Sequence, residues 1–345
     1  MNKIENQRLV LASRPHGAPT QDNFRLETVE MPELKEGEVL LRTIYLSLDP
    51  YMRGRMSDAK SYAASVEIDD VMVGGTVSQV EQSSNPDFQV GEWVVGYTGW
   101  QSYAISNGEG LLKLGMNPDK PSHALGILGM PGFTAYMGLL DIGNPQPGET
   151  IAVAAATGPV GATVGQIGKI KGCRVVGIAG GEEKCRYAVE TLGFDACIDH
   201  KADDFAEQLA AACPDGVDVY FENVGGKVFD ALMPLFNPKA RIPLCGLVSQ
   251  YNNTGLPDGP DRLSQLMGLC LVKRMRVQGF IIFDDYGHRY QEFADQMSQW
   301  VSEGKIHYRE QMVEGLQNAP DAFKGLLEGK NFGKLVVSIN RPLEQ

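Results

Sequence analysis

The chain has 345 residues, 43% hydrophobic and 21% charged, which is length enough for two domains with separate cores and the profile of a water-soluble globular protein. It is acidic, with 43 Asp and Glu against 31 Lys and Arg, and no basic run alternates with aromatics, which argues against nucleic acid as a partner. No apolar run nears the roughly 20 residues that span a bilayer, and the first ten residues lack a secretory apolar core, so no membrane partner and a cytoplasmic location are expected.

The segments 8–13, 24–32, 38–50, 71–83 and 92–106 are short, β-rich and separated by Gly, Pro, Asn and Asp, the pattern of a compact all-β, barrel-like domain. A polar insert at 51–70 interrupts them, too long for a hairpin loop and too polar for core; such loops inside compact domains are usually functional. It carries Tyr51, Arg53 and Tyr62. From residue 123 the spacing becomes helical, and 130–143 reads as a turn followed by a helix.

The stretch 151–171 then reads as strand, tight turn and helix. Ala155, Gly158 and Gly161 form A-x-x-G-x-x-G, a relaxed dinucleotide fingerprint in which glycines let main chain approach a pyrophosphate at a helix N-terminus. Glycine-rich turns also serve as plain helix-packing devices, so the surroundings matter. They alternate: strand 174–180, helix 182–192, strand 196–200, helix 202–212, strand 217–223, helix 227–235, then strands 240–248 and 276–282. With 151–156 these make six strands at βα spacing, which predicts a doubly wound parallel sheet with its ligand at the carboxyl ends of the strands. A short helix near 319–327 and a β-rich run at 333–340 follow, and the last strand is expected to return to the first domain. The six cysteines, at 173, 185, 197, 213, 245 and 270, show no C-x-x-C or zinc spacing and read as reduced, largely structural thiols.

The second strand ends in Ala179-Gly180-Gly181, where NAD-preferring sites usually place an acid for the ribose hydroxyls. Lys184 and Arg186 follow within a helical turn and favour a 2′-phosphate. Glu182 and Glu183 are the competing acids, although any helix favours acids in its first turn.

The ordered set LSLDPYMRGRM, GMPGFTAYMGLLDIG, AAATGPVGATVGQIGK, FENVGG, CGLVSQYN and GKNFGKLVV resembles the zinc-independent medium-chain dehydrogenase/reductases, in particular the leukotriene dehydrogenase/prostaglandin reductase branch and its bacterial curcumin reductases. The resemblance spans nearly the whole chain. It implies a Rossmann domain (131–304) that binds NADPH, a discontinuous GroES-like β-barrel substrate domain (1–130 and 305–345), a cofactor cleft between the two, and a homodimer. It maps the 2′-phosphate lysine onto Lys184. It implies a cofactor lining of Gly158, Pro159, Val160, Gly161, Gly180 and Asn223 on the adenosine and pyrophosphate. The runs Cys245 to Tyr251 (with Gly246 and Ser249) and Phe280, Ile281 and Ile282 border the nicotinamide half, and Asn331 closes on it from the tail. Where relatives often carry Tyr after the ACID strand, this chain has His200, which falls in the same lining.

Zinc is disfavoured by the residues themselves. The first domain has no cysteine, and Val73-Gly74-Gly75 stands where zinc enzymes carry Gly-His-Glu. Without a metal, a hydride suits an acceptor polarised by hydrogen bonds alone, such as an enone whose oxygen gains charge as the β-carbon is attacked. Candidate donors are Tyr51, Tyr62 and Tyr251, together with the cofactor ribose; the family uses tyrosines at the last two positions. The expected activity is therefore NADPH-dependent reduction of the C=C bond of α,β-unsaturated ketones of the curcumin type. The alternatives are a quinone or alkenal reductase with the same cleft, or a protein that holds NADPH without turnover.

Overall fold

The computed structural model describes residues 4–256 and 259–343. The chain divides into two compact units, one made of the chain up to Gly126, Glu310–Asn331 and the chain from Leu335 on, the other of Ile127–Arg309 and Phe332–Lys334.

In the first unit, β1 (Glu5–Leu11) and β2 (Phe24–Glu30) form an antiparallel pair. β3 (Val39–Ser47), β4 (Thr76–Ser83), β5 (Trp93–Gly96), β6 (Tyr103–Ser106) and β7 (Leu112–Gly115) build a larger antiparallel sheet. One edge of β3 lies along β4, whereas its other edge is shared: Val39–Arg42 pair with β6 and Tyr45–Ser47 pair with the late strand Lys334–Ser338. The stretch expected as one strand over 92–106 is two, because Gly99 (φ +82°) turns the chain between β5 and β6. Residues 71–75 contribute one bridge, Val71 to Val10, rather than the start of a strand.

Trp100 centres this unit's core, stacked on Phe24 at 5.5 Å with the edge of Phe323 at 5.7 Å. The insert is less polar in effect than its composition implies. Its short helix Met52–Arg55 points Met52 into that core, and Met56 and Val66 are buried with it. These anchors hold the loop that carries the tyrosines.

In the second unit, β8 (Thr150–Ala154), β9 (Arg174–Ala179), β10 (Ala196–Asp199), β11 (Val217–Phe221), β12 (Phe236–Leu244) and β13 (Arg276–Gly279) form a parallel sheet in the order β10-β9-β8-β11-β12-β13. The order reverses between β8 and β11, the point at which doubly wound sheets open a crevice for ligands. Both faces are covered, as alternation along the strands requires. Ile151, Val153, Val175, Val219 and Phe221 enter one core, while Ala152, Ala154, Val176, Ile178 and Tyr220 enter the other. Each fully buried Val or Ile contributes about 1.5–3 kcal/mol.

Several element bounds differ from the sequence expectation for identifiable reasons. The helix expected over 227–235 runs Gly226–Leu232 and tightens to a 3-10 turn at Met233–Leu235, where Pro234 has no N–H to continue it. The strand expected over 276–282 stops at Gly279, and a short helix, Ile282–Tyr286, begins soon after. Two helices went unpredicted, Leu263–Lys273 and Tyr290–Ser302; the latter buries Phe293, Met297 and Trp300 at helical spacing.

Candidate functional site

Within the second unit, nearly all the residues expected to line a cofactor gather at the carboxyl ends of the parallel strands. The turn Ala155–Gly158 follows β8, Gly180 follows β9, His200 follows β10, Asn223 lies two residues beyond β11, Cys245 and Gly246 follow β12, and Phe280 follows β13. They are brought together from six separate βα connections.

The glycine turn is built for close approach. Ala155 adopts φ +52°, and a Cβ on Gly161 would lie 2.3 Å from the Ala155 carbonyl oxygen, so any side chain there forces the helix off the strand. Gly158 precedes the helix Pro159–Ile170 in extended conformation and donates its N–H to Ala155 O at 2.9 Å. Pro159 occupies the first helical position, where a missing N–H costs nothing, and the following N–H groups of Val160 and Gly161 belong to the first turn, whose free N–H groups suit an anion. Gly165 and Gly168 serve packing instead: Cβ atoms there would meet the Phe194 ring and Ile151. We expect Gly161→Ala to destabilise the fold by ~1–3 kcal/mol and to weaken dinucleotide binding with it. An unchanged melting temperature and cofactor affinity would show that the turn tolerates a Cβ.

Gly180 faces the next strand's end. A Cβ at that position would lie 2.9 Å from His200 Nε2 and 3.2 Å from Lys201 Cε, so the absent side chain is what admits both residues. The competing acids Glu182 and Glu183 are exposed in the first turn of helix Glu182–Glu190, as the helix dipole favours, and Arg186 is exposed too. Lys184 is half-buried, and burial, with Lys201 nearby, lowers its ammonium pKa. Asp199 accepts from the Gly181 and Lys201 amides, each at 2.9 Å, and this fixes the turn.

At the switch point, Asn223 Nδ2 donates to Ala154 O at 2.9 Å, tying the end of β11 to the end of β8. Glu222 sets the loop beside it: one carboxylate oxygen accepts from Val224 N, Gly225 N and Tyr220 Oη at 2.7–2.8 Å. Burial raises the Glu222 carboxyl, and these hydrogen bonds oppose the rise. The amides of Cys245 and Gly246 both donate to Glu222 O, and Ser249 Oγ donates to Val224 O at 2.5 Å. Burial pushes the Cys245 thiol up to about 12, so it stays protonated at neutral pH.

Tyr251 follows a short 3-10 turn, Val248–Gln250, and its ring folds back so that the hydroxyl accepts from Leu247 N at 3.4 Å. Gly246 leaves the space, since a Cβ there would lie 3.0 Å from that hydroxyl. The contact uses an oxygen lone pair of the hydroxyl. Phe280 and Ile282 turn their side chains into the core, Phe280 edge-on to Phe221, so this segment presents main chain and the half-buried Ile281. Near the glycine turn, Arg309 lies 3.8 Å over the ring of Phe332, and Tyr187 meets that ring edge-on. Tyr187 and Arg309, with Thr157, Gly158 and Gly333, line a small recess beside that turn.

In the first unit, Arg55 lies over the rings of both loop tyrosines, 5.7 Å from Tyr51 and 4.9 Å from Tyr62. Tyr62 is 55% exposed. Burial raises the Tyr51 hydroxyl well above its ordinary value, with Asp49 adding to the rise, so it remains a proton donor at any working pH. Asn331 lies between helix Ala319–Leu327 and the final strand.

Residues 7–114 match the family model described as the N-terminal domain of oxidoreductase, and residues 159–303 match that of the zinc-binding dehydrogenases. Over 337 residues the chain is 68% identical to the NADPH-dependent curcumin reductase of Escherichia coli strain K12, covering 98% of each protein. The chain belongs to the medium-chain dehydrogenase/reductase family, in its curcumin and prostaglandin reductase branch. Prostaglandin reductase 1 of Rattus norvegicus is 45% identical over 326 residues, 93% of this chain and 95% of its own. The crystal structure of CurA from Vibrio vulnificus in complex with NADPH matches with a TM-score of 0.95 at 70% identity, covering 97% of this chain and 100% of that one.

The position of the zinc signature is held by glycines. At the position of the zinc signature, a Cβ on Gly74 would lie 2.8 Å from Leu46 and 3.1 Å from Trp100, and Gly75 faces Leu125 and Tyr97. Neither glycine offers a side-chain donor atom, so that position lacks the ligands the zinc signature would supply. Among the described residues no three His, Cys, Asp or Glu side chains group closely enough to hold a metal ion.

Proposed function

We propose that this chain is an NADPH-dependent reductase of the C=C bond of α,β-unsaturated ketones, with curcumin-type enones as its acceptors. The carrying observation is full-length identity of 68% to a curcumin reductase, supported by the match to NADPH-bound CurA. The Rossmann unit takes NADPH. Gly158, Pro159, Val160 and Gly161 receive the pyrophosphate, Gly180, Lys184 and His200 the 2′-phosphate ribose, and Asn223 the adenosine side. Cys245, Gly246, Ser249, Tyr251 and the main chain of Phe280, Ile281 and Ile282 border the nicotinamide, with Asn331 contributing from the tail. The GroES-like unit supplies the substrate loop.

When bound, NADPH supplies the hydride that adds to the β-carbon of the enone. Tyr251 holds the substrate oxygen by donating its phenolic proton into a hydrogen bond that strengthens as enolate charge develops. Tyr62 and Tyr51 orient the acceptor, and burial keeps the Tyr51 hydroxyl protonated. Proton delivery to the α-carbon comes from solvent or from the tyrosine that holds the enolate. The 45% identity to prostaglandin reductase 1 favours a second reading within the same chemistry, in which other enones or enals are the physiological acceptors.

Turnover is expected to be metal-independent, because the zinc-signature position offers no ligand. Activity with an enone should survive exhaustive chelation in full. Stoichiometric zinc in active protein, lost together with activity, would contradict this.

We further read the working species as a homodimer. β13 is an edge strand with Val277 40% exposed, and Met267, Leu271 and Val272 on helix Leu263–Lys273 are 62–79% exposed. Unpaired edges and apolar helix faces of this kind favour association. Light scattering should give twice the chain mass, and Leu271→Lys with Val277→Asp should give the single-chain mass. A wild-type monomer at micromolar concentration refutes the dimer.

A further inference from the structure

Where β9 and β10 end, the second unit concentrates positive charge around an incompletely bonded imidazole. His200 and Lys201 both pack against Gly180, at 2.9 and 3.2 Å from the point a Cβ would occupy. Lys184, from helix Glu182–Glu190, is close enough for Lys201 to lower its pKa, and Lys227, from helix Gly226–Leu232, acts on His200 in the same sense. The carboxylates that face this group are few. Asp199 is engaged by the Gly181 and Lys201 amides, and Glu183 is exposed beside Lys184.

The His200 Nδ1 is shielded from solvent and has no hydrogen-bond partner. A buried polar atom left in that state costs ~1–3 kcal/mol, and such atoms mark places where a ligand completes the bonding. An anion with several acceptor oxygens satisfies both needs, since it bonds the ring and neutralises the lysines.

We infer that His200, together with Lys184, Lys201 and Lys227, receives a phosphate monoester dianion, and that binding it loads a proton onto the imidazole so that cofactor affinity falls as pH rises. The inference rests on the NADPH reading, whose 2′-phosphate is that monoester. Histidine is the side chain whose ordinary charge change falls in the physiological range, so the coupling is placed on the imidazole. In the free protein, burial first, then Lys227 and Lys201, hold the ring neutral at pH 7, with Asp199 opposing. A dianion against the ring reverses that balance and favours imidazolium. The sign follows: the complex binds more protons than the free protein, so the association constant falls with rising pH by at most about tenfold per unit. Below about pH 6 protonation of the phosphate itself opposes the trend, which sets the lower limit of the useful range.

The test is calorimetry from pH 6.5 to 8.5 in buffers of different ionisation enthalpy, with NADP+, NAD+, 2′,5′-ADP and 5′-AMP as ligands. For wild type, NADP+ and 2′,5′-ADP should each bind with uptake of a substantial fraction of one proton, and NAD+ and 5′-AMP with none. His200→Gln should abolish the uptake and flatten the pH dependence of NADP+ affinity. Equal proton uptake by 2′,5′-ADP and 5′-AMP in wild type overturns the inference without reference to any variant, and so does unchanged uptake in His200→Gln. If wild type binds NAD+ as tightly as NADP+, the cofactor reading itself fails; if NADP+ is preferred but the uptake is absent, only the proton coupling fails.

Discussion

Tyr251→Phe is expected to lower kcat by ~10²-fold or more while leaving NADPH affinity almost unchanged. A donor aimed at an oxygen that gains charge in the transition state contributes little to ground-state binding, and removing one such donor typically costs 10²–10³-fold. The Tyr251 hydroxyl accepts from Leu247 N at 3.4 Å across the gap that Gly246 leaves. The substitution retains the ring and removes the oxygen alone. Tyr62 is a different case, being exposed and held from one side by Arg55. Tyr62→Ala should impair a long diarylheptanoid enone more than a short one, because the ring offers surface to the distant part of the acceptor. Wild-type rates in Tyr251→Phe, Tyr62→Phe and Tyr62→Ala would leave these tyrosines structural and shift the donor role to the cofactor ribose or a bound water.

Lys184→Ala should weaken NADPH by ~1.5–3 kcal/mol, the worth of one hydrogen bond to a charged group, which is roughly 10- to 150-fold in affinity. NADH should bind almost as before. The half-buried ammonium lies on the first turn beyond Gly181, and burial together with Lys201 penalises its charge in the free protein. A dianion relieves that penalty, whereas the hydroxyl of NADH does not. Equal losses for both cofactors would mean that the lysine supports the helix rather than the phosphate.

The parallel sheet was legible because strands buried on both faces read as short apolar runs, and because the glycine turn after 151–156 has a distinctive spacing. Helix Leu263–Lys273 was not, because Leu263, Met267, Leu271 and Val272 are exposed and its apolar residues mark no single inward face. The core role of the insert was missed for a related reason. Met52 and Met56 stand one helical turn apart within a polar stretch, a signal of two residues that composition hides. Lys184, Lys201 and Lys227 come from three βα units, so the basic cluster exists only after the sheet has formed. Cys185 and Cys197, which lack any motif spacing, likewise have their thiols in hydrogen-bond contact because β10 lies beside the helix that follows β9. The resemblance pointed to position 200; what a histidine does there depends on those neighbours.

The most direct test is to turn over curcumin with NADPH carrying deuterium at C4 of the nicotinamide and to locate the label in the product. Reduction of the conjugated C=C bond predicts one NADPH consumed per double bond, deuterium on the carbon β to the carbonyl, a solvent-derived proton on the α-carbon and an intact ketone. Deuterium on a carbinol carbon, or tight NADPH binding with no oxidation across a panel of enones, enals and quinones, would contradict the account.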